Sequence, residues 1–151
     1  MGKICRQRKS PNKKESYRTM TYLLDTNVIV NFLRGNKTTK DLLFRLSKDS
    51  LFAVSVITYG ELLYGTYRSG SFKREREVVI NLINDFRIAI LPITEDIVDY
   101  FAAAKFTLER AGNKLDDFDL LIGATSVASR STLVTENIRH FQRFPGIILA
   151  S

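Results

Sequence analysis

From Met20 onward the chain repeats one pattern: a short apolar run, then a longer stretch in which apolar residues recur every three or four positions. That alternation predicts a parallel sheet covered by helices, because neighbouring parallel strands must be joined by a crossover. TYLLD (21–25) reads as the first strand and TNVIVNFLRGN as a helix, with Thr26 or Asn27 near its N-cap and Gly35-Asn36 closing it. A second helix after Thr38 and Thr39 carries Leu42, Leu43 and Leu46. LFAVSV (51–56) reads as the second strand, followed by a helix opening at Thr58 that weakens at Ser69-Gly70. Residues 72–86 form an amphipathic helix with Val78, Val79, Leu82, Ile83 and Phe86 on one side. RIAILPI (87–93) is the third expected strand, and Thr94 caps a helix that stops at Gly112-Asn113. Asp116 starts a helix whose body, DLLIGATSVAS, is almost wholly apolar or small and therefore expected to be buried. STLVTE (131–136) and GIILA (146–150) supply a fourth and a short fifth strand.

Composition bounds the rest. At 151 residues, 44% hydrophobic and 26% charged, the chain fits one soluble domain. No run approaches the roughly 18 apolar residues of a membrane span. The single cysteine, Cys5, excludes an internal disulfide. Without a CxxC pair or a histidine cluster, a structural zinc site is not expected either. A reducing, cytoplasmic setting and the lack of an apolar leader follow as expectations.

The net charge of +7 is unevenly spread: residues 1–19 carry seven Lys or Arg against Glu15 alone, which leaves the remainder close to neutral. This basic extension lacks apolar periodicity and is expected to be disordered in isolation, with residues 20–151 forming the domain. It reads as a solvated tail, with a phosphate-binding arm as the functional alternative. A start at Met20 is a third reading.

Three acids stand apart by position. Asp25 ends the first strand, Glu61 follows the second, and Asp119 lies in the first turn of the buried helix. Each has a structural explanation: a turn residue for Asp25, a capping box with Thr58 for Glu61, and a similar pairing of Asp116 with Asp119. Together they imply more. In an open parallel sheet the strand carboxyl ends share one edge, and ligands bind there. Carboxylates gathered in a cleft repel one another and call for a counter-charge, most simply a divalent cation; an all-oxygen donor set points to Mg²⁺ or Mn²⁺. Asn137, in Thr135-Glu136-Asn137 after the fourth strand, reaches the same edge and is a candidate to bind a metal-bound water.

These residues are the ones by which the chain resembles PIN-domain nucleases, in particular the VapC toxins of bacterial toxin–antitoxin pairs. The resemblance rests on YLLDTNVIV, VSVITYGELLYG, KLDDFDLLIGATSVA and TLVTENIRHFQRFPGI, in order, and spans residues 20 to 150. It implies a three-layer α/β/α sandwich with a parallel sheet of four to five strands. It also implies a Mg²⁺- or Mn²⁺-dependent endoribonuclease with an RNA substrate, homodimerisation, and neutralisation by a small antitoxin. Asp25, Glu61 and Asp119 would be the metal-binding acids. At a fourth position many members carry Asp where this chain has Asn137, beside Glu136 and followed by His140, which puts a second metal in question.

On that reading Thr26, Asn27 and Thr135 are candidates to orient the acids, and Asp117 to add water-mediated charge, with a solvated helix start as its plainer role. Arg68, Lys73, Arg74 and Arg76, and separately Arg139 and Arg143, are candidate RNA-binding groups, although a solvated helix face explains either. Tyr59, Tyr64 and Tyr67 are candidates to stack on bases or to pack a dimer or antitoxin interface, with core packing the plainer account. His140 is assigned no chemistry. A phosphohydrolase with Asp25 as nucleophile is disfavoured because Asn27 stands where a second Asp belongs. A PIN-like module that binds RNA or protein without cleaving is the principal alternative.

Overall fold

The computed structural model describes residues 20–150; the basic extension 1–19 and Ser151 lie outside the described residues. The strands are β1 (Met20–Leu24), β2 (Ser50–Ser55), β3 (Ala89–Leu91) and β4 (Thr132–Val134). The helices are α1 (Thr26–Leu33), α2 (Lys37–Leu46), α3 (Val56–Tyr67), α4 (Phe72–Asp85), α5 (Glu95–Arg110), α6 (Asp117–Ala128) and α7 (Ile138–Phe141). All strand pairs are parallel, in the order β3-β2-β1-β4. The strand order reverses between β1 and β4, so a crevice opens beyond their carboxyl ends.

Alternate residues of the strands are buried on opposite faces, as expected of a sheet sandwiched between helix layers. Leu24, Phe52, Val54 and Val134 pack with Val28, Ile29, Leu43, Leu62, Val79 and Ile83 of α1 to α4. Leu23, Ala53 and Leu133 pack on the other face with Ile122 of α6 and Phe141 of α7. Each such aliphatic side chain contributes about 1.5–3 kcal/mol on burial. Outside α6 lies α5, whose Ile97, Ala104 and Leu108 meet Leu120, Ala124 and Phe144. That layer depends on Gly123: a Cβ there would lie 2.7 Å from two ring carbons of Phe144, so the missing side chain is what lets the segment after α7 close on α6.

Several boundaries differ from the sequence reading. The third strand is three residues rather than seven: Arg87 turns the chain at φ 50° as it leaves α4, and Pro92 has no N–H to give to a ladder. Residues 146–150 form a single parallel bridge between Leu149 and Leu133, supported by Leu133 N–H to Ile148 O (2.8 Å) and Ala150 N–H to Leu133 O (2.9 Å), and not a full fifth strand. The short α7 has no counterpart in the sequence reading.

Candidate active site

Asp25 is the residue on which the site is built. Its N–H donates to Val134 O (3.0 Å), joining the ends of β1 and β4, and its Oδ1 accepts from the N–H of Thr26 (2.8 Å), capping α1. Asp25 therefore takes the N-cap place expected of Thr26 or Asn27. Its other carboxylate oxygen, Oδ2, accepts from the Thr135 hydroxyl at 2.7 Å. Asp25 is only 4% exposed, and its pKa is raised by burial, against the lowering effect of the Thr135 and Thr26 hydrogen bonds, with Glu136 adding repulsion.

Glu61 is not part of a capping box. The N-cap of α3 is Ser55, the last residue of β2, whose hydroxyl accepts from the N–H of Thr58 (2.9 Å). Strand and helix abut without a loop, so α3 begins at Val56, ahead of the expected opening at Thr58, and Thr58 is fully buried. Glu61 is thereby released from any capping duty, and its Oε2 accepts a short hydrogen bond from the Thr26 hydroxyl. Thr26 thus links the segment carrying Asp25 to the one carrying Glu61. An apolar groove of about 440 Å³ extends from Glu61 between α1, α3 and α4, lined by Val30, Leu33, Gly65 and Val79.

Asp119 is likewise free of capping, because Asp116 caps α6 by accepting from the N–H of Phe118 (2.9 Å) rather than pairing with Asp119. Asp119 is half-buried, and its pKa is raised first by desolvation, then by Asp25 and Asp116 and, more weakly, by Glu61; His140 opposes the shift. Asp25 and Glu61 thus both act on Asp119, and no Lys or Arg is paired with any of the three among the described residues. Among those residues, no three Asp, Glu, His or Cys side chains are drawn together tightly enough to hold an ion as they stand. The chemistry of the set, oxygen-rich and without a Lys or Arg partner among the described residues, fits a hard divalent cation, and closing it around one requires the side chains to move.

The other predicted residues divide clearly. Thr26 and Thr135 touch the acids; the backbone N–H of Asn137 donates to Thr135 Oγ1 (3.0 Å) and its amide contacts His140 Nδ1 (2.8 Å). Asp117 instead makes a surface ion pair with Lys105 of α5 (2.6 Å), which accounts for it without the site. Asn27, Arg68, Lys73, Arg74, Arg139 and Arg143 are exposed, and Arg76 is partly so. Tyr59 packs on the core, but Tyr64 and Tyr67 are 63% and 69% exposed, so core packing does not explain them; Tyr67 stacks on Phe72. Sequence reasoning missed the anchoring of Glu136, which accepts from Asn31 Nδ2 (2.7 Å) and the Thr39 hydroxyl (3.3 Å), tying the loop after β4 to α1 and α2. Those partners lie about a hundred residues away in sequence, and no local pattern marks them.

Residues 22–147 match the family model described as PIN domain. The chain belongs to the PIN-domain family. It is 31% identical over 131 residues to Ribonuclease VapC2 of Rickettsia felis, covering 86% of this chain and 96% of that relative. Ribonuclease VapC1 of Haemophilus influenzae is 28% identical over 125 residues, 82% of this chain and 92% of the relative. Among solved structures, the PIN domain superposes on the Rickettsia felis VapBC2 complex bound to a promoter DNA fragment, with a TM-score of 0.81 at 30% identity, covering 87% of this chain and 98% of that one. Among the described residues, no helix is long and apolar enough to cross a membrane.

Proposed function

We propose that this PIN domain is the ribonuclease toxin of a VapBC-type toxin–antitoxin pair, hydrolysing RNA phosphodiester bonds in the cytoplasm. What supports the reading is the placement of Asp25 at the end of β1, Glu61 on α3 and Asp119 in the first turn of α6, with the Thr26 hydroxyl linking the first of these segments to the second and both Asp25 and Glu61 adding to the raised pKa of Asp119. The VapC ribonucleases it resembles support the activity, and the solved VapBC complexes support a small antitoxin as partner. The family is generally dependent on divalent metal; for this chain the all-oxygen acids favour Mg²⁺ or Mn²⁺.

Asp25, Glu61 and Asp119 would hold the cation, which supplies charge neutralisation at the phosphate and activation of the attacking water. Thr135 and the Thr26 N–H fix the two oxygens of Asp25, and the Thr26 hydroxyl holds Glu61, so the acids are oriented before substrate arrives. Exposed Arg68, Lys73 and Arg74, and separately Arg139 and Arg143, are the bases that would attract the RNA backbone. Residues 20–151 would suffice for cleavage, with 1–19 as an appended basic segment, and the domain would act as a homodimer, which analytical ultracentrifugation tests directly.

The deciding experiment is cleavage of a mixed RNA panel by the full chain with Mg²⁺ or Mn²⁺. Activity that disappears with chelator and in Asp119→Asn supports the reading. Persistent RNA binding without cleavage, in either metal, would replace it with the non-catalytic module.

A further inference from the structure

We propose that His140 is a metal ligand of this site, forming with Asp119 a mixed imidazole–carboxylate pair that shifts ion preference away from Mg²⁺ and toward Mn²⁺. The inference rests on the reading of Asp25, Glu61 and Asp119 as the metal-holding acids.

His140 Nδ1 stands 3.8 Å from Asp119 Oδ2. Two donors that share one ion at about 2.1–2.2 Å are about 3.0 Å apart at a right angle and approach 4 Å at wider angles. The observed gap is therefore that of a pair able to grip a common ion. A surface ion pair would close to about 2.9 Å or less, as Lys105 and Asp117 do at 2.6 Å.

The ring is held in place despite being half-exposed. Phe141, the next residue, is fully buried and fixes α7 against the sheet. Hydrogen bonds continue that fixation: Asp25 Oδ2 to the Thr135 hydroxyl (2.7 Å), Thr135 Oγ1 to the Asn137 N–H (3.0 Å), and the Asn137 amide to His140 Nδ1 (2.8 Å). With the Asp119 contact, this chain of groups runs from one candidate metal-holding acid to another and passes through His140. Nδ1 is the ring nitrogen within 3.8 Å of Asp119 and also the one in contact with the Asn137 amide, so an ion taken by Nδ1 displaces that amide. The amide can then turn its oxygen toward a coordinated water.

An imidazole nitrogen changes the donor set from hard oxygen to mixed oxygen and nitrogen. Mg²⁺ sheds water reluctantly and prefers oxygen, whereas affinity for nitrogen-bearing sites rises along the first transition row. Asn137 acts through His140 and is a positioning residue.

His140 is the sole histidine of the chain, so untagged protein gives an unambiguous spectroscopic readout. Pulsed electron paramagnetic resonance of bound Mn²⁺ should show nitrogen modulation from a directly coordinated imidazole in the parent chain and none in His140→Ala. Calorimetry should show the Mn²⁺-over-Mg²⁺ affinity ratio falling about tenfold in His140→Ala. Circular dichroism of that variant should be unchanged, since the side chain is half-exposed. If Mn²⁺ binds the parent chain, is lost in Asp119→Asn, and gives no nitrogen signal, the acids hold the ion and the His140 assignment is overturned. If Mn²⁺ does not bind, or binds regardless of Asp119→Asn, the metal site itself is refuted and this inference with it.

Discussion

Replacing Thr135 by valine keeps the shape of the side chain and removes one hydroxyl, which isolates the hydrogen bond to Asp25. That hydroxyl donates to Asp25 Oδ2 at 2.7 Å, and Asp25 is only 4% exposed, so water does not readily take its place. A hydrogen bond to a charged group contributes about 1.5–3 kcal/mol and one between neutral groups about 0.5–1.5 kcal/mol. The Thr135 bond lowers the Asp25 pKa by favouring the ionised form, while burial raises it further than the hydrogen bonds lower it. Removing the hydroxyl therefore lifts the folded-state pKa again. The deficit of the variant is smallest below the parent's folded pKa, grows as pH rises through the two folded values, and is constant above them. Thr135→Val is expected to cost about 2 kcal/mol at pH 8 and about 1 kcal/mol at pH 4, where a neutral hydrogen bond is all that is lost. For a domain of this size the larger figure is about 6–10 °C in Tm. Urea unfolding in chelator at the two pH values measures both deficits. Equal deficits, or one below about 0.5 kcal/mol at pH 8, would refute a charged, buried Asp25 held by this residue.

Three further outcomes are expected. In chelator, the raised pKa values of Asp25 and Asp119 make ionisation unfavourable to the fold, so stability declines as pH rises from the ordinary carboxylate range through their folded values; Asp119→Asn should lessen the decline and exceed the parent at pH 8, and saturating Mn²⁺ should restore the parent, as thermal scans would show. Gly123→Ala gains about 1 kcal/mol in helix propensity but forces the Phe144 ring from a 2.7 Å overlap, so a net loss of about 1–2 kcal/mol is expected, with partial rescue by Phe144→Leu in chemical denaturation. Arg130 ends α6 at φ 54°, a conformation that disfavours residues with a Cβ, so Arg130→Gly should stabilise by about 1 kcal/mol in the same assay while Arg130→Ala should not.

The parts of the fold legible in sequence were those written in local periodicity. Helices α4, α5 and α6 lie within a residue or two of their expected limits because apolar spacing and the caps Thr94 and Asp116 mark them. The start of α3 was misread because an apolar run crosses from β2 into the helix, and only the Ser55 hydroxyl marks the change. That single shift also reverses the local account of Glu61, from capping partner to acceptor for Thr26. Asp25 and Asp119 stood out by position in the strand–helix pattern. Glu136 and His140 did not, because what places them is contact with α1, α2 and Asp119, and contact between distant segments leaves no periodic trace.

Asp25 serves at once as strand joint and helix cap besides its proposed place at the metal, whereas Asp119 carries only the proposed duty. The two positions therefore differ in what an inactivating change leaves behind. A chain silenced at Asp119 would stay folded with its outer surfaces intact, while one truncated to alanine at Asp25 would also loosen a helix start and fall more readily to proteases.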